Sequence, residues 1–84
     1  MRLEFDQNAF EDLNYFMKHD RKKALKIMEL LEDTLRHPFV GVGKPEPLKY
    51  EFAGCWSRRI DQEHRLVYSV VKNTIIVLAC RYHY

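Results

Sequence analysis

Eighty-four residues set the scale of a single domain spanning 1–84, since independent domains run from about 50 to 200 residues. With 46% hydrophobic, 13% aromatic and 31% charged residues, the composition excludes disorder, collagen and low complexity. A net charge of +2 is too small to argue by itself for a nucleic-acid partner.

The charge is unevenly distributed. Residues 1–43 carry seven basic and eight acidic side chains, whereas residues 44–84 carry seven basic and four acidic ones. An anion-binding surface is therefore expected in the second half. The longest wholly apolar run, Ile75 to Cys80, has six residues, against roughly 20 for a membrane-spanning helix. The start, Met1-Arg2-Leu3-Glu4-Phe5-Asp6, has no apolar signal core. Two cysteines, Cys55 and Cys80, are too few for a disulfide scaffold. These features lead us to expect a cytoplasmic protein without membrane contact.

Arg2 to Asp6 alternates, with Leu3 and Phe5 on one side, and predicts a short strand. A helix should follow, capped by Asp6 or Asn8, with Phe10, Leu13, Phe16 and Met17 as its apolar stripe. His19-Asp20 interrupts, and Asp20 can cap a second helix with Ala24, Ile27, Met28, Leu31 and Leu35 inward, stopped by Pro38. His37 to Pro47 reads as an irregular loop in which Pro45 and Pro47 stiffen the backbone on both sides of Glu46. Four strand-like runs then follow: Leu48–Phe52, Cys55–Asp61, Arg65–Val71 and Thr74–Tyr82. The separators are short enough for hairpins. The expected fold is α+β: a single antiparallel sheet in the order β-α-α-β-β-β-β, with two N-terminal helices covering one face.

The uncovered face bears on function. Putting Trp56, Ile60, Leu66, Tyr68 and Val70 against the helices leaves Arg59 and Arg65 together on the opposite face. A slip of one residue would instead pair Arg65 with Arg58. The first register is preferred because it buries Ile60 rather than an arginine.

Several residues offer chemistry, each beside a plainer reading. The chain closes on Arg81-Tyr82-His83-Tyr84. His83 near the terminal carboxylate suits a general acid, or is merely solvated. Glu46 is held rigidly between prolines, as a general base benefits from being, or is a surface acid in a turn. Arg58, Arg59, Arg65 and Lys49 could grip a phosphate through charge and bidentate geometry, or simply pair with Asp61 and Glu63. The cysteines and four histidines have no Cys-x-x-Cys or His-x-x-x-His spacing, so a metal site has little support. Cys80 reads as a small buried hydrophobe and Trp56 as core.

Four ordered blocks carry a resemblance to a known family. They are Gly43-Lys44-Pro45-Glu46-Pro47-Leu48-Lys49; Gly54 with Trp56-Ser57-Arg58-Arg59-Ile60; Glu63-His64-Arg65-Leu66-Val67-Tyr68; and Ala79-Cys80-Arg81-Tyr82-His83-Tyr84. With the helical half matching in pattern, the chain resembles the YoeB branch of the RelE-type toxins of bacterial toxin–antitoxin systems. The resemblance implies a RelE-like, microbial-ribonuclease-type fold and a ribosome-dependent mRNA endonuclease acting in the ribosomal A site, without metal or cofactor. It implies Glu46 as general base, His83 as general acid, Arg65 as phosphate stabiliser and Tyr84 as substrate-orienting residue, with Lys49 and Arg59 holding the RNA backbone. The implied partners are the 70S ribosome and mRNA, a second copy of the chain, a YefM-like antitoxin and, through that complex, operator DNA. The competing expectation is a non-catalytic module of the same fold that binds antitoxin and operator DNA.

Overall fold

The computed structural model describes residues 1–82. Strand β1 (Arg2–Phe5) leads into helices α1 (Gln7–His19) and α2 (Arg21–Arg36). A long loop then reaches strands β2 (Glu46–Pro47), β3 (Cys55–Arg59), β4 (Arg65–Val71) and β5 (Thr74–Ala79). The sheet order is β1-β5-β4-β3-β2, so the longest strand, β4, is central.

Both helices start on aspartate caps. The Asp6 carboxylate accepts the Asn8 N–H at 3.1 Å, and that of Asp20 accepts the Lys23 N–H at 3.5 Å. A capping acid satisfies one of the N–H groups that the first helical turn leaves free. The expected stripes hold in part: Phe16, Ala24, Ile27 and Leu31 are buried, and Leu13 and Leu35 pack against the core. Ala9 and Phe16 face inward on α1, and Ala24, Ile27, Leu30, Leu31 and Thr34 on α2, while Phe10, Met17 and Met28 are exposed. Ala9, Phe16, Ala24, Ile27, Leu30 and Leu31 pack with Ile60, Leu66, Tyr68, Ile75, Val77 and Cys80, so one sheet face forms the core.

Two expectations about the sheet need correction. Leu48–Phe52 is not a strand: the edge strand is Glu46–Pro47, and Tyr50–Phe52 forms a 3₁₀ turn. Because Glu46 pairs with Ser57 and Pro47 with Trp56, the chain must reverse between residues 48 and 54. Nor is the sheet wholly antiparallel. β1 lies parallel to β5, with Leu3 opposite Ile75, which makes it mixed. The two helices carry the chain from β1 at one edge to β2 at the other, and the strands then return across the sheet until β5 lies beside β1.

The β3–β4 register is the preferred one, with Arg59 opposite Arg65 and Trp56 opposite Tyr68. It nevertheless buries an arginine. Arg58 shares the parity of Trp56, points into the core and is fully buried. Every guanidinium N–H direction finds an acceptor: Tyr68 Oη, Asp33 Oδ2 at 2.6 Å, and the carbonyls of His37, Val40 and Val42. The 37–43 loop thus folds around a charge, and Arg58 leaves the phosphate-binding cluster. A side chain at Gly43 would put its Cβ 2.8 Å from Leu30 Cδ2 and 3.1 Å from Arg58 Cβ, so glycine alone lets this loop close down.

Candidate active site

Cross-strand partners in a sheet project to the same face, and residues two apart along a strand share it. Glu46 is opposite Ser57, and Arg59 is opposite Arg65. All four therefore lie on the face away from the helices. There Arg65 Nη1 donates to Glu46 Oε1 at 3.0 Å and to Ser57 Oγ at 3.2 Å. The Arg65 side chain is 23% exposed and that of Glu46 56%, so the cation sits at the floor and the carboxylate at the rim. The prolines fix Glu46 on an edge strand, where Pro47 costs no ladder bond. The Arg59 N–H donates to the Gly43 carbonyl at 2.6 Å, tying the proline loop to β3. Arg59 is exposed on this face; Lys49 is exposed just beyond β2, ahead of the 3₁₀ turn.

The C-terminal segment comes to the same place. β5 ends at Ala79, three residues short of the run expected from sequence, beside a bulge at Val67/Tyr68. The Cys80 N–H then leaves the ladder for the Asp12 carboxylate at 3.0 Å. Burial pushes the Cys80 thiol up to about 12, with Asp12 adding to the effect, and it packs as the expected small hydrophobe. The Arg81 guanidinium lies 3.5 Å from the centre of the Tyr15 ring. The Tyr82 carbonyl accepts the Arg65 N–H at 2.8 Å, and the Tyr82 N–H donates to His64 Nδ1 at 2.7 Å. Residue 82 is thereby fixed on the backbone of Arg65. His83 and Tyr84, expected as acid and orienting residue, lie outside the described residues.

The structure thus brings together Glu46, Arg59 and Arg65, with Lys49 following β2. Sequence reasoning missed Ser57, buried beneath Arg65, and His64, buried beside Tyr82. Ser57 was within reach of parity, since it alternates with Trp56 on one side and pairs with Glu46's strand on the other. No local signal marks His64, whose role depends on a bond between residues 18 apart.

The sequence and the fold that carry this face are similar to those of known proteins. Residues 5–84 match the family described as the YoeB-like toxin of bacterial type II toxin–antitoxin systems. The chain belongs to this family. This YoeB-like toxin is 49% identical over 84 residues to Toxin YoeB of Escherichia coli K12, with all of both chains covered. It superposes on the YoeB/ParE toxin from Agrobacterium tumefaciens with a TM-score of 0.97 at 42% identity, again over all of both chains. Two Staphylococcus aureus structures cover all of this YoeB-like toxin and 98% of theirs, both at 47% identity. One is a YoeB dimer, with a TM-score of 0.92. The other is a heterotetrameric YoeB–YefM toxin–antitoxin complex, with a TM-score of 0.91.

Proposed function

We propose that this YoeB-like toxin is a cytoplasmic, ribosome-dependent endonuclease that cuts translated mRNA in the A site. The observation that carries the reading is the Glu46–Arg65 pair at 3.0 Å on the open sheet face, with Arg59 opposite Arg65 and the backbone of residue 82 bonded to Arg65. It gathers a braced carboxylate, a phosphate-binding cation and the start of the tail that carries an imidazole.

In this mechanism Glu46 takes the proton of the ribose 2′-hydroxyl. The freed oxygen attacks the adjacent phosphorus, the bond from phosphorus to the 5′-oxygen breaks, and His83 protonates that leaving oxygen. The products are a 2′,3′-cyclic phosphate and a 5′-hydroxyl. Arg65 faces the charge that grows on the phosphoryl oxygens, a role worth about 10²–10³-fold. Its resting bond to Glu46 is given up to the phosphate, which leaves the carboxylate free to act. Lys49 and Arg59 hold flanking phosphates, and Tyr84 orients the substrate by stacking on a base, a contact of about 1–3 kcal/mol.

By kinship with the S. aureus dimer and YoeB–YefM complex, we read this chain as a homodimer neutralised by a YefM-like antitoxin, the complex binding operator DNA. The exposed apolar side chains Phe10, Met17, Leu25 and Met28 give such a partner something to cover.

The test is to map mRNA ends in a translating extract supplied with wild type, Glu46→Gln or His83→Ala. Each variant should lower the cleavage rate by about 10²–10⁴-fold. A template with a 2′-deoxyribose at the scissile nucleotide should stay intact. Equal cleavage by wild type and His83→Ala removes His83 from the mechanism. No new ends from wild type leaves a non-catalytic binding module.

A further inference from the structure

We propose that His64 is a positioning residue for this site: its ring holds the backbone of Tyr82 in a left-handed turn against the backbone of Arg65. The proposal rests on the nuclease reading above for its consequence, though not for its geometry.

His64 is 6% exposed. Its ring meets Phe16 of α1 edge-on at 5.0 Å between centroids and Tyr82 at 5.5 Å on the other side. Nδ1 accepts the Tyr82 N–H at 2.7 Å, which an imidazole can do only with its proton on Nε2. Nε2 in turn lies 3.5 Å from Glu63 Oε1. The mount under the ring is rigid. Asp61 Oδ1 accepts the N–H groups of both Glu63 and His64, and the His64 carbonyl accepts those of Ile60 and Asp61.

The residue being held needs holding. Tyr82 has φ of +64°, a conformation that a side chain with a Cβ adopts only when its surroundings impose it. Two bonds impose it here, from successive residues: His64 takes the Tyr82 N–H, and Arg65 gives its own N–H to the Tyr82 carbonyl. The tail is thus registered to the backbone of the arginine that receives the phosphate. A core histidine would need only to fill space. This one presents an acceptor to the Tyr82 N–H, the last backbone donor among the described residues.

Three substitutions separate acceptor from bulk. His64→Asn keeps an acceptor, Oδ1, at the same distance from the backbone as Nδ1. His64→Gln moves it one bond outward, and His64→Leu removes it. A fourth variant leaves His64 intact. Because Cys80 offers a ligation point, a synthetic Cys80–Tyr84 peptide with an ester in place of the Arg81–Tyr82 amide can be joined to residues 1–79, replacing the N–H donor by an oxygen while His64 stays in place.

Cleavage rate at saturating substrate and KM are read in translating extract, alongside hydrogen exchange at Tyr82 in the three substituted proteins. His64→Leu, His64→Gln and the ester should each lose about 10²-fold in kcat, the scale of an ångström's misplacement, with KM little changed. His64→Asn should recover most of that loss. Tyr82 exchange should quicken in the Leu and Gln variants and stay slow in Asn. The proposal is overturned if the ester cuts like wild type, or if Asn loses as much as Leu. A wild type that cuts no RNA sinks the nuclease reading instead, and the exchange ranking then decides the clamp alone.

Discussion

Arg58 shows how much one side chain can organise. Buried arginine is costly unless its charge is paired and all its donors are used. Here one carboxylate, one phenol and three loop carbonyls meet that demand. Tyr68 extends the network by donating to the Pro38 carbonyl at 2.6 Å. Arg58→Met should destabilise the fold by about 3–5 kcal/mol, because it takes the cation from Asp33 and the donors from three loop carbonyls together. Asp33 supplies the pH dependence. The Arg58 guanidinium, with help from the Val42 N–H, holds its carboxyl below the usual carboxylate range. A lowered folded value means that the unfolded chain binds the proton first. The stabilisation is therefore complete above about pH 4, the unfolded value, and is lost as pH falls through the folded one. Asp33→Asn should lower the urea midpoint at pH 7, and the gap to wild type should narrow below pH 4. Curves that stay parallel down to pH 2 would show that the carboxylate's charge is irrelevant.

Among the elements, the β4–β5 hairpin turns on Lys72 and Asn73, both with positive φ, between the paired Val71 and Thr74. This is the two-residue turn whose twist matches that of the strands, and it prefers asparagine then glycine. A lysine at its first position is strained, and Lys72→Asn should raise stability by about 0.5 kcal/mol, a fraction of the ~1–2 kcal/mol that a left-handed residue costs. Thermal unfolding measures it, and RNA cleavage should not change. This turn was legible in the sequence because its signal is local: two polar residues between alternating runs. So were both aspartate caps, the pairing of Arg59 with Arg65 and the bracing of Glu46. The misread features depend on partners distant in sequence. The sequence Leu48–Phe52 looks like a strand, but pairing of Glu46 with Ser57 forces it to turn. Phe10 and Met17 fit a helical stripe, yet the sheet approaches α1 from the side of Ala9 and Phe16. Arg58 looks like surface because its compensating acceptors come from residues 33 to 42 and from Tyr68.

For the molecule as a whole, the uneven charge shrinks once structure is taken into account. Of the seven basic residues after position 43, Arg58 is buried against Asp33 and Arg81 lies over Tyr15. Lys72 occupies the β4–β5 turn, at the opposite end of β4 from Arg65. Four remain: Lys44, exposed in the loop before β2, and the three that the nuclease reading assigns to phosphates, Lys49, Arg59 and Arg65. Each neutralised phosphate of a single strand contributes roughly −0.7 to the slope of log K against log salt, so three give about −2. That is too shallow for a protein that captures RNA by charge alone, and it is why this reading leaves positioning to a large partner that already holds the message. Fluorescence anisotropy with a short, non-cleavable 2′-deoxy-substituted RNA should return a slope near −2, falling by about 0.7 in Arg59→Ala. A slope steeper than about −5 would mean that a broader basic surface engages the strand, and that the open sheet face around Arg65 is not where most of the contact lies.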